Sequence, residues 1–138
     1  MAEIFKDKTS DEWFFSEDSY ILSETDSRGF ILYANDLFCS MAGYSMDELI
    51  GQPHNIVRHP DMPRIAFAGL WNDIQSKGFW TGIVKNRRKD GGYYWVDATA
   101  LRKTHSDGTV TYLSIRRVPS RSAVKSCVTL YAELKSKE

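Results

Sequence analysis

The spacing of apolar side chains changes halfway along the chain. Near the start, ILSETD and FILYA alternate around a DSRG turn, which predicts a β-hairpin. After this hairpin, apolar residues recur at helical spacing. Asn35 begins a first predicted helix that Gly43 ends, and Ser45 with Glu48 forms a capping box that begins a second. The first half of the chain therefore predicts a hairpin followed by short helices.

A longer helix is predicted over MPRIAFAGLWNDIQSKG, with Pro63 in its first turn and Gly78 at its end. Asp61 is a candidate cap for this helix, or a partner that orients Arg58 or His59. One face carries an apolar stripe that we expect to be buried, made of Ile65, Phe67, Ala68, Leu70, Trp71 and Ile74.

The second half is typical of strands. FWTGIVKNRRKDGGYYWVDATALRK reads as two long strands joined by a DGG turn, and DGTVTYLSIRRV as a third. Both ends of the chain predict helices. Thr9 or Ser10 is a candidate cap for a short N-terminal helix, and the C-terminal helix has an apolar stripe of Val124, Val128, Tyr131 and Leu134.

These elements predict an α+β fold, a five-stranded antiparallel sheet with short helices packed on one face. We divide the chain into an N-terminal cap helix at 1–19, a central domain at 20–118 and a C-terminal amphipathic helix at 119–138. At 138 residues the chain fits a single domain with a sizeable core.

Composition excludes several classes of protein. Eighteen basic residues balance eighteen acidic ones, so no general attraction to nucleic acid or anionic lipid is expected. No apolar run approaches the roughly 20 residues that span a bilayer, and the N-terminal sequence lacks the order of a signal peptide. Cys39 and Cys127 form no CxxC motif, which is typical of structural thiols in a reducing cytoplasm.

The element order, with GYSMDELIG after an asparagine-led helix and NRRKDGGYYWV in the long hairpin, resembles a PAS domain. The contiguous PHNIVRHPDMP, together with GLW, FWTGIVKNRRKDG and YLSIR, narrows this resemblance to the FAD-binding PAS domain of bacterial aerotaxis (energy taxis) receptors. The resemblance covers roughly residues 20–118 and implies the PAS fold and a non-covalently bound FAD.

The first long strand offers one face suited to a flat cofactor. Alternation places Trp80, Gly82, Val84 and Asn86 on one side, away from most of the charge. Gly82 would let a ring approach the backbone, and the Asn86 amide complements the pyrimidine edge of a flavin. The alternative is that Asn86 caps the following turn. In this family, and in the related flavin sensor of nitrogen-fixation regulation, a tryptophan matching Trp80 lines the flavin.

The next two strands extend this face. Val96, Ala98 and Ala100 are small enough to leave a cavity. The pattern of the last strand does not decide which set of side chains points inward. Resemblance to flavin-binding PAS proteins favours Ser114 and Arg116, and an arginine there would stabilise negative charge that a flavin gains on reduction. A solvated arginine at the edge is the alternative.

The stretch GQPHNIVRHPDMP holds several polar side chains on a connection stiffened by prolines. An arginine there can pair with phosphate or stack on adenine, which FAD requires for its tail. The resemblance implies that Arg58, His59 and Asp61 help to retain FAD. The alternative is a salt-bridged loop without a ligand.

Three further residues complete the predicted site. Phe67 and Trp71 lie four apart on one helix face, a spacing that simple core packing would also produce. Asn35 is a helix cap first and a ligand contact second. Phe38 and Met41 are expected to be core.

The resemblance implies a redox or oxygen sensor and not an enzyme, since the sequence offers no nucleophile paired with a base. Two alternatives remain: a haem-binding gas sensor with His54 or His59 as axial ligand, and an unliganded interaction module. Light-driven adduct formation is not expected, because no cysteine lies in PHNIVRHPD.

The expected partner is a chemotaxis transducer or HAMP domain, in the same chain or a separate one, or a second PAS domain. The chain is then either a fragment or a free-standing cytoplasmic sensor acting at the inner face of the membrane through a partner. Candidate contact residues are the aromatic cluster Trp13, Phe14 and Phe15 and the outward-facing Tyr93, Trp95 and Thr99. The alternative is that the N-terminal helix packs on its own sheet.

Overall fold

The computed structural model describes residues 4–138. Its centre is a five-stranded antiparallel sheet formed by β3 (Ile21–Thr25), β4 (Ile31–Ala34), β5 (Phe79–Arg87), β6 (Tyr93–Thr104) and β7 (Val110–Arg117). The strand order is β4-β3-β7-β6-β5, so β4 and β5 are the two edges. The predicted sheet and its hairpins are confirmed.

Helices on the inner face of the sheet follow the predicted order. They are α1 (Asp36–Ala42), α2 (Met46–Leu49), a 3-10 turn (His54–Val57) and α3 (Arg64–Lys77). Asn35 caps α1 through a bond from the Phe38 amide to its side chain, and Gly43 ends α1 in the left-handed region at φ 76°. The capping box of Ser45 and Glu48 is also present.

The predicted N-terminal helix is wrong where the structure describes it; residues 1–3 lie outside the described part. Residues 4–15 instead form a hairpin of β1 (Ile4–Lys6) and β2 (Trp13–Phe15). The hydroxyls of Thr9 and Ser10, expected to cap a helix, donate to the Asp7 carboxylate at 3.0 and 2.7 Å. Polar caps of helices and turns use the same residue types, so the sequence alone did not separate the two.

α4 (Arg121–Ser136) packs on the outer face of the sheet, and the N-terminal hairpin is joined to β6 by a bridge between Glu12 and Tyr93. Tyr131 of α4 stacks on Trp95 with 6.3 Å between ring centroids, and its hydroxyl donates to the Ile83 carbonyl at 2.6 Å. Phe15 of β2 belongs to the core and Trp13 packs against it, so the N-terminal segment does pack on its own domain, although as a strand and not as the helix of the alternative. Phe15 and Trp95 are buried. In the α4 stripe, Val128 is exposed, contrary to the prediction.

The buried stripe predicted on α3 is also wrong. Ile74 is the buried member, whereas Ile65 and Trp71 are 60% and 40% exposed and Ala68 is exposed. The helix does not lie flat on the sheet, because a cavity separates the two. The hydrophobic core lies to one side, around α1, where Phe38 and Met41 are fully buried as predicted.

Within residues 4–138, none of the helices is both long and apolar enough to span a membrane.

Candidate functional site

A cavity of about 280 Å³ separates the inner face of the sheet from α3 and from the stretch 53–58. This volume is near the lower end of the range for small-molecule sites. Most of the wall is apolar, including Val57, Phe67, Leu70, Ile74, Val84 and Val96. The exposed lining residues are Arg28, Pro53, Asn55 and Trp71, and we call the border formed by the first three the mouth.

Strand alternation places the β5 residues as the sequence predicted. Trp80, Val84 and Asn86 line the cavity, opposite Ala100, Val96 and Tyr94 of β6. Gly82 has a different role from the one expected, because the Trp80 indole lies over it. A Cβ at position 82 would overlap Cζ2 and Cη2 of that ring. Gly82 therefore makes room for an aromatic ring of the protein.

Asn86 is buried and points into the cavity. It does not cap the following turn, because Asp90 accepts from the Gly92 amide at 2.9 Å and binds Arg88. Burial raises the pKa of the adjacent Tyr94 to about 12, against the opposing effects of Arg116 and Asn86. Tyr94 is fully buried and pairs with Asn86 across β5 and β6.

Arg116 is the charged residue most deeply placed in the wall, with 2% exposure. Its Nη2 donates to Ser23 Oγ at 2.6 Å, its Nη1 lies 3.3 Å from His54 Nε2, and its Nε has no partner. The guanidinium carbon lies 4.4 Å from the ring centroid of Phe38. Burial lowers the pKa of Arg116 to about 10, so it remains charged near neutral pH. The inward direction of Arg116, left open by the strand pattern, is thus established.

His54 belongs to the same cluster. Its Nε2 lies 3.2 Å from Ser23 Oγ, and its ring stacks on Phe38 with 5.6 Å between centroids. Burial of the ring and the nearby charge of Arg116 lower the pKa of His54 to about 3. The imidazole is therefore neutral, and Nε2 accepts a hydrogen bond from the guanidinium or the serine hydroxyl.

Arg58 borders the cavity from the proline-rich stretch. Its backbone pairs with Asn86 at the edge of β5, so its side chain points to the cavity side as that of Asn86 does. The guanidinium carbon lies 3.6 Å from the Phe67 ring centroid, and Nε is buried without a partner. Burial lowers the pKa of Arg58. No carboxylate in residues 4–138 forms an ion pair with it.

The structure does not bring His59 and Asp61 to the cavity with Arg58. Because side chains alternate along this extended segment, His59 points to the other face, where its ring lies 6.1 Å from that of Tyr93. Asp61 accepts from Lys85 at 2.9 Å, and this bond lowers the pKa of Asp61. Asp61 does not cap α3, which begins at Arg64. These two residues hold the stretch against β5 from outside.

The remaining predicted residues are divided between the wall and the framework. Phe67, Trp71 and Ser114 line the cavity, and Trp71 meets Tyr112 edge-on at 5.2 Å between centroids. Asn35 is not part of the wall. Its oxygen accepts from Phe38 and Leu22 amides, and its nitrogen donates to the Tyr20 carbonyl. Asn35 is thus fully used as a helix cap.

The family model that matches this chain is described as the PAS fold, and it covers residues 31–118. The chain belongs to the PAS family. The five strands and the helices over one face are the architecture that this resemblance implied.

Curated relatives of the PAS domain include long signalling proteins. This chain is 43% identical over 119 residues to an aerotaxis receptor of Escherichia coli strain K12, and the match covers 86% of this chain and 24% of the receptor. It is 33% identical over 100 residues to a nitrogen fixation regulatory protein of Klebsiella oxytoca, covering 72% of this chain and 20% of that protein. The chain thus spans about a quarter or less of the relatives it matches.

Solved structures share the same architecture. A PAS domain from Colwellia psychrerythraea superimposes with a TM-score of 0.67 at 26% identity, over 74% of this chain and 87% of that one. The dark state of the blue-light photoreceptor Aureochrome1 LOV superimposes with a TM-score of 0.69 at 24% identity, over 80% and 83%. The second likeness is one of fold alone.

The sequence analysis missed Thr25, which lines the PAS cavity, and Ser23, which binds Arg116 in its wall. Ser23 is fully buried and shares the inner face with Ile21 and Thr25, and Thr25 is also buried. The sequence signal was the presence of two hydroxyl residues on the same face of β3 as Ile21. A strand face that packs on a core normally carries apolar side chains, and hydroxyl groups are expected on the opposite, solvated face. The pairing of Ser23 with Arg116 joins residues 93 positions apart, which no local pattern reports.

The geometry does not favour the haem alternative. The Nε2 of His54 is occupied by Ser23 and Arg116, and His59 does not line the cavity. Cys39 lies on α1 and Cys127 on α4, and neither borders the cavity.

Proposed function

We propose that this PAS domain binds FAD in the cavity and senses redox state or oxygen through it, without being an enzyme. The observation that carries the proposal is the Asn86 side chain, a buried amide that lines a mostly apolar cavity. Small-molecule sites are typically apolar cavities in which a few polar groups fix the orientation of the ligand. The pyrimidine edge of a flavin offers both an acceptor and a donor to such a group.

The surrounding wall fits a flat ring. Trp80, Phe67 and Trp71 provide aromatic surface, and the small side chains of Ala98 and Ala100 leave the sheet accessible. Apolar contacts of this kind are non-directional, whereas the hydrogen bonds that the Asn86 amide can form are directional. We therefore assign ring binding to the aromatic residues and ring orientation to Asn86, with Ser114 as a further polar contact.

Arg58 is the proposed contact for the phosphate-bearing tail. It borders the cavity, it lacks an ion pair within residues 4–138, and Phe67 holds its guanidinium in place. His59 and Asp61 act through it. The Asp61–Lys85 bond fixes the extended stretch to β5, and this fixes the direction of Arg58. Asn35 is assigned to the framework.

Arg116 is the proposed link between redox state and protein conformation. When bound, FAD supplies reversible electron transfer and a change of charge and protonation at its ring. A buried cation responds to such a change, and Arg116 is bonded to β3 through Ser23 and approaches the stretch 53–58 through His54. A shift of this guanidinium would therefore act on two elements together.

The proposed partner is a chemotaxis transducer or HAMP-type signalling domain on the cytoplasmic side of a membrane, in the same chain or another. Similarity to an aerotaxis receptor supports this class of partner. The expected contact surface includes α4, which packs on the outer face of the sheet, and the N-terminal hairpin, which is joined to β6.

A visible absorption spectrum of the purified protein tests the proposal, together with the mass of the extracted cofactor and the response to anaerobic reduction. We expect a flavin spectrum, the mass of FAD and reversible bleaching. In Asn86→Leu, FAD content should fall, while Asn72→Leu on the exposed surface of α3 is the control. A haem spectrum, or a colourless protein that takes up no FAD, would contradict the proposal.

A further inference from the structure

The cavity has an unusual charge pattern. Its lining residues include three arginines, Arg28, Arg58 and Arg116, and no aspartate, glutamate or lysine from residues 4–138. The whole chain, in contrast, carries equal numbers of basic and acidic residues. Like charges that face one partly dry space repel each other unless an anion lies between them. The cavity is therefore prepared for a ligand with negative charge.

Arg28 comes from the turn between β3 and β4, which is well fixed. The Asp26 carboxylate accepts from the backbone amides of Arg28 and Phe30 at 2.9 and 3.0 Å. Gly29 has φ 87°, in the left-handed region that suits glycine. The Arg28 guanidinium carbon lies 5.1 Å from the Phe30 ring centroid. The arginine is thus held at the mouth although its side chain is exposed.

This turn is joined directly to the proline-rich stretch. Phe30 forms a β-bridge with Pro53, and the His54 amide donates to the Gly29 carbonyl at 2.9 Å. Arg28 and Arg58 therefore belong to one connected border of the cavity. Both lie over an aromatic ring, and neither forms an ion pair with any residue in the described part of the chain. Their guanidinium donors remain available to an anion.

We propose that Arg28 and Arg58 together form a binding site for the phosphates of the cofactor tail, which makes the cavity select phosphorylated flavins over riboflavin. This inference rests on the proposed binding of FAD and extends it to Arg28. Guanidinium groups bind phosphate oxygens through paired, charge-assisted hydrogen bonds. Arg116 has a separate role, because Ser23 and His54 hold it inside the wall.

The test is a titration of the cofactor-free full chain with riboflavin, FMN and FAD, followed by flavin fluorescence. The proteins are the wild type, Arg28→Gln, Arg28→Lys and the control Lys125→Gln, which removes one charge from an exposed position of α4. For Arg28→Gln we expect about a tenfold weaker affinity for FAD, and a riboflavin affinity within about twofold of the wild type. The FAD affinity of Arg28→Lys should lie between those of the wild type and Arg28→Gln, because lysine keeps the charge but not the paired donors.

Salt provides a second measurement. Affinity of the wild type for FAD should fall with ionic strength more steeply than its affinity for riboflavin, and Arg28→Gln should reduce that difference. The inference would be overturned if Arg28→Gln lost FAD and riboflavin affinity equally, or kept full FAD affinity. If the wild type bound none of the three flavins, the proposed function itself would fail. These outcomes are distinguishable from one another.

Discussion

The Trp80 indole occupies the space beside Gly82, which lies two residues further along the same face of β5. A Cβ at position 82 would overlap the six-membered ring of the indole. The direction of Trp80 therefore depends on the absence of a side chain at its neighbour. Since Trp80 also lines the cavity, this contact determines the shape of one wall.

Gly82→Ala should displace the indole and lower both stability and FAD content. Overpacking of this kind costs about 1–3 kcal/mol of the free energy of unfolding. The measurements are the denaturant midpoint and the amount of bound FAD. Gly69→Ala is the matched control, because Gly69 lies in α3 with open space around its Cα, and alanine there should stabilise the helix by about 0.5–1 kcal/mol. Equal midpoints for the two variants would show that the indole does not depend on Gly82.

Asp61 could affect FAD binding indirectly, through its bond with Lys85, or by direct contact with the cofactor. Variants of the two residues distinguish these explanations. If Asp61 acts by fixing the stretch that carries Arg58, Asp61→Ala and Lys85→Met should weaken FAD binding by similar factors. The double variant should then be little worse than either single one. The free energy of unfolding should change by less than about 1 kcal/mol, because the Asp61 side chain is 68% exposed.

The measurement for this pair is FAD affinity in the four proteins of the cycle. A normal affinity in Lys85→Met with a strong loss in Asp61→Ala would instead assign Asp61 a direct contact with the cofactor. Arg117→Met is a suitable control, since Arg117 forms a comparable exposed ion pair with Asp97 away from the cavity.

Arg116→Gln should lower the midpoint potential of the bound flavin. The arginine is a buried cation beside the cavity, and negative charge gained on reduction is stabilised by it. A charged hydrogen bond contributes roughly 1.5–3 kcal/mol, and about 1.4 kcal/mol corresponds to about 30 mV in a two-electron couple, so we expect a decrease of tens of millivolts. A redox titration of the two proteins is the measurement. An unchanged potential with unchanged FAD affinity would remove Arg116 from the redox response.

Local patterns predicted the five strands of the central sheet, the caps of α1 and α2 and the inner face of β5, because alternation and capping depend on residues close in sequence. Long-range partners were not predictable. Thr9 and Ser10 could cap a helix or a turn. They lie in a turn because β1 pairs with β2, which is not visible in the local sequence. The apolar stripe of α3 predicted burial, whereas the structure places Trp71 at a cavity, since periodicity does not report what a face contacts.

The candidate site likewise combines residues that local patterns predict with residues whose roles depend on distant parts of the chain. Asn86 and Trp80 followed from alternation along one strand, and both line the cavity. The different directions of Arg58 and His59 arise from the bridge of Arg58 with Asn86, which depends on tertiary structure. The role of Ser23 depends on contact with Arg116, on a strand far away in the sequence.

The neutral His54 makes stability depend on pH in a defined direction. Its pKa in the folded protein is about 3, below the ordinary value of 6.5, because burial and the charge of Arg116 disfavour the imidazolium. The unfolded chain therefore binds a proton that the folded chain does not as pH falls below about 6.5. Stability from this group is fully present above pH 6.5 and is lost progressively as pH falls toward about 3, by at most about 1.4 kcal/mol per pH unit.

Denaturant unfolding at several values between pH 7 and pH 4.5 measures this slope in the wild type and in His54→Gln. His59, whose pKa burial also lowers, contributes in the same direction, so the difference between the two proteins isolates His54. Gln can still accept a hydrogen bond from Arg116 or Ser23 but does not titrate. We expect the wild type to lose stability with falling pH more steeply than His54→Gln. Parallel curves would mean that His54 accepts a proton in the folded protein as readily as in the unfolded chain, and the cluster with Arg116 would then not hold the imidazole neutral.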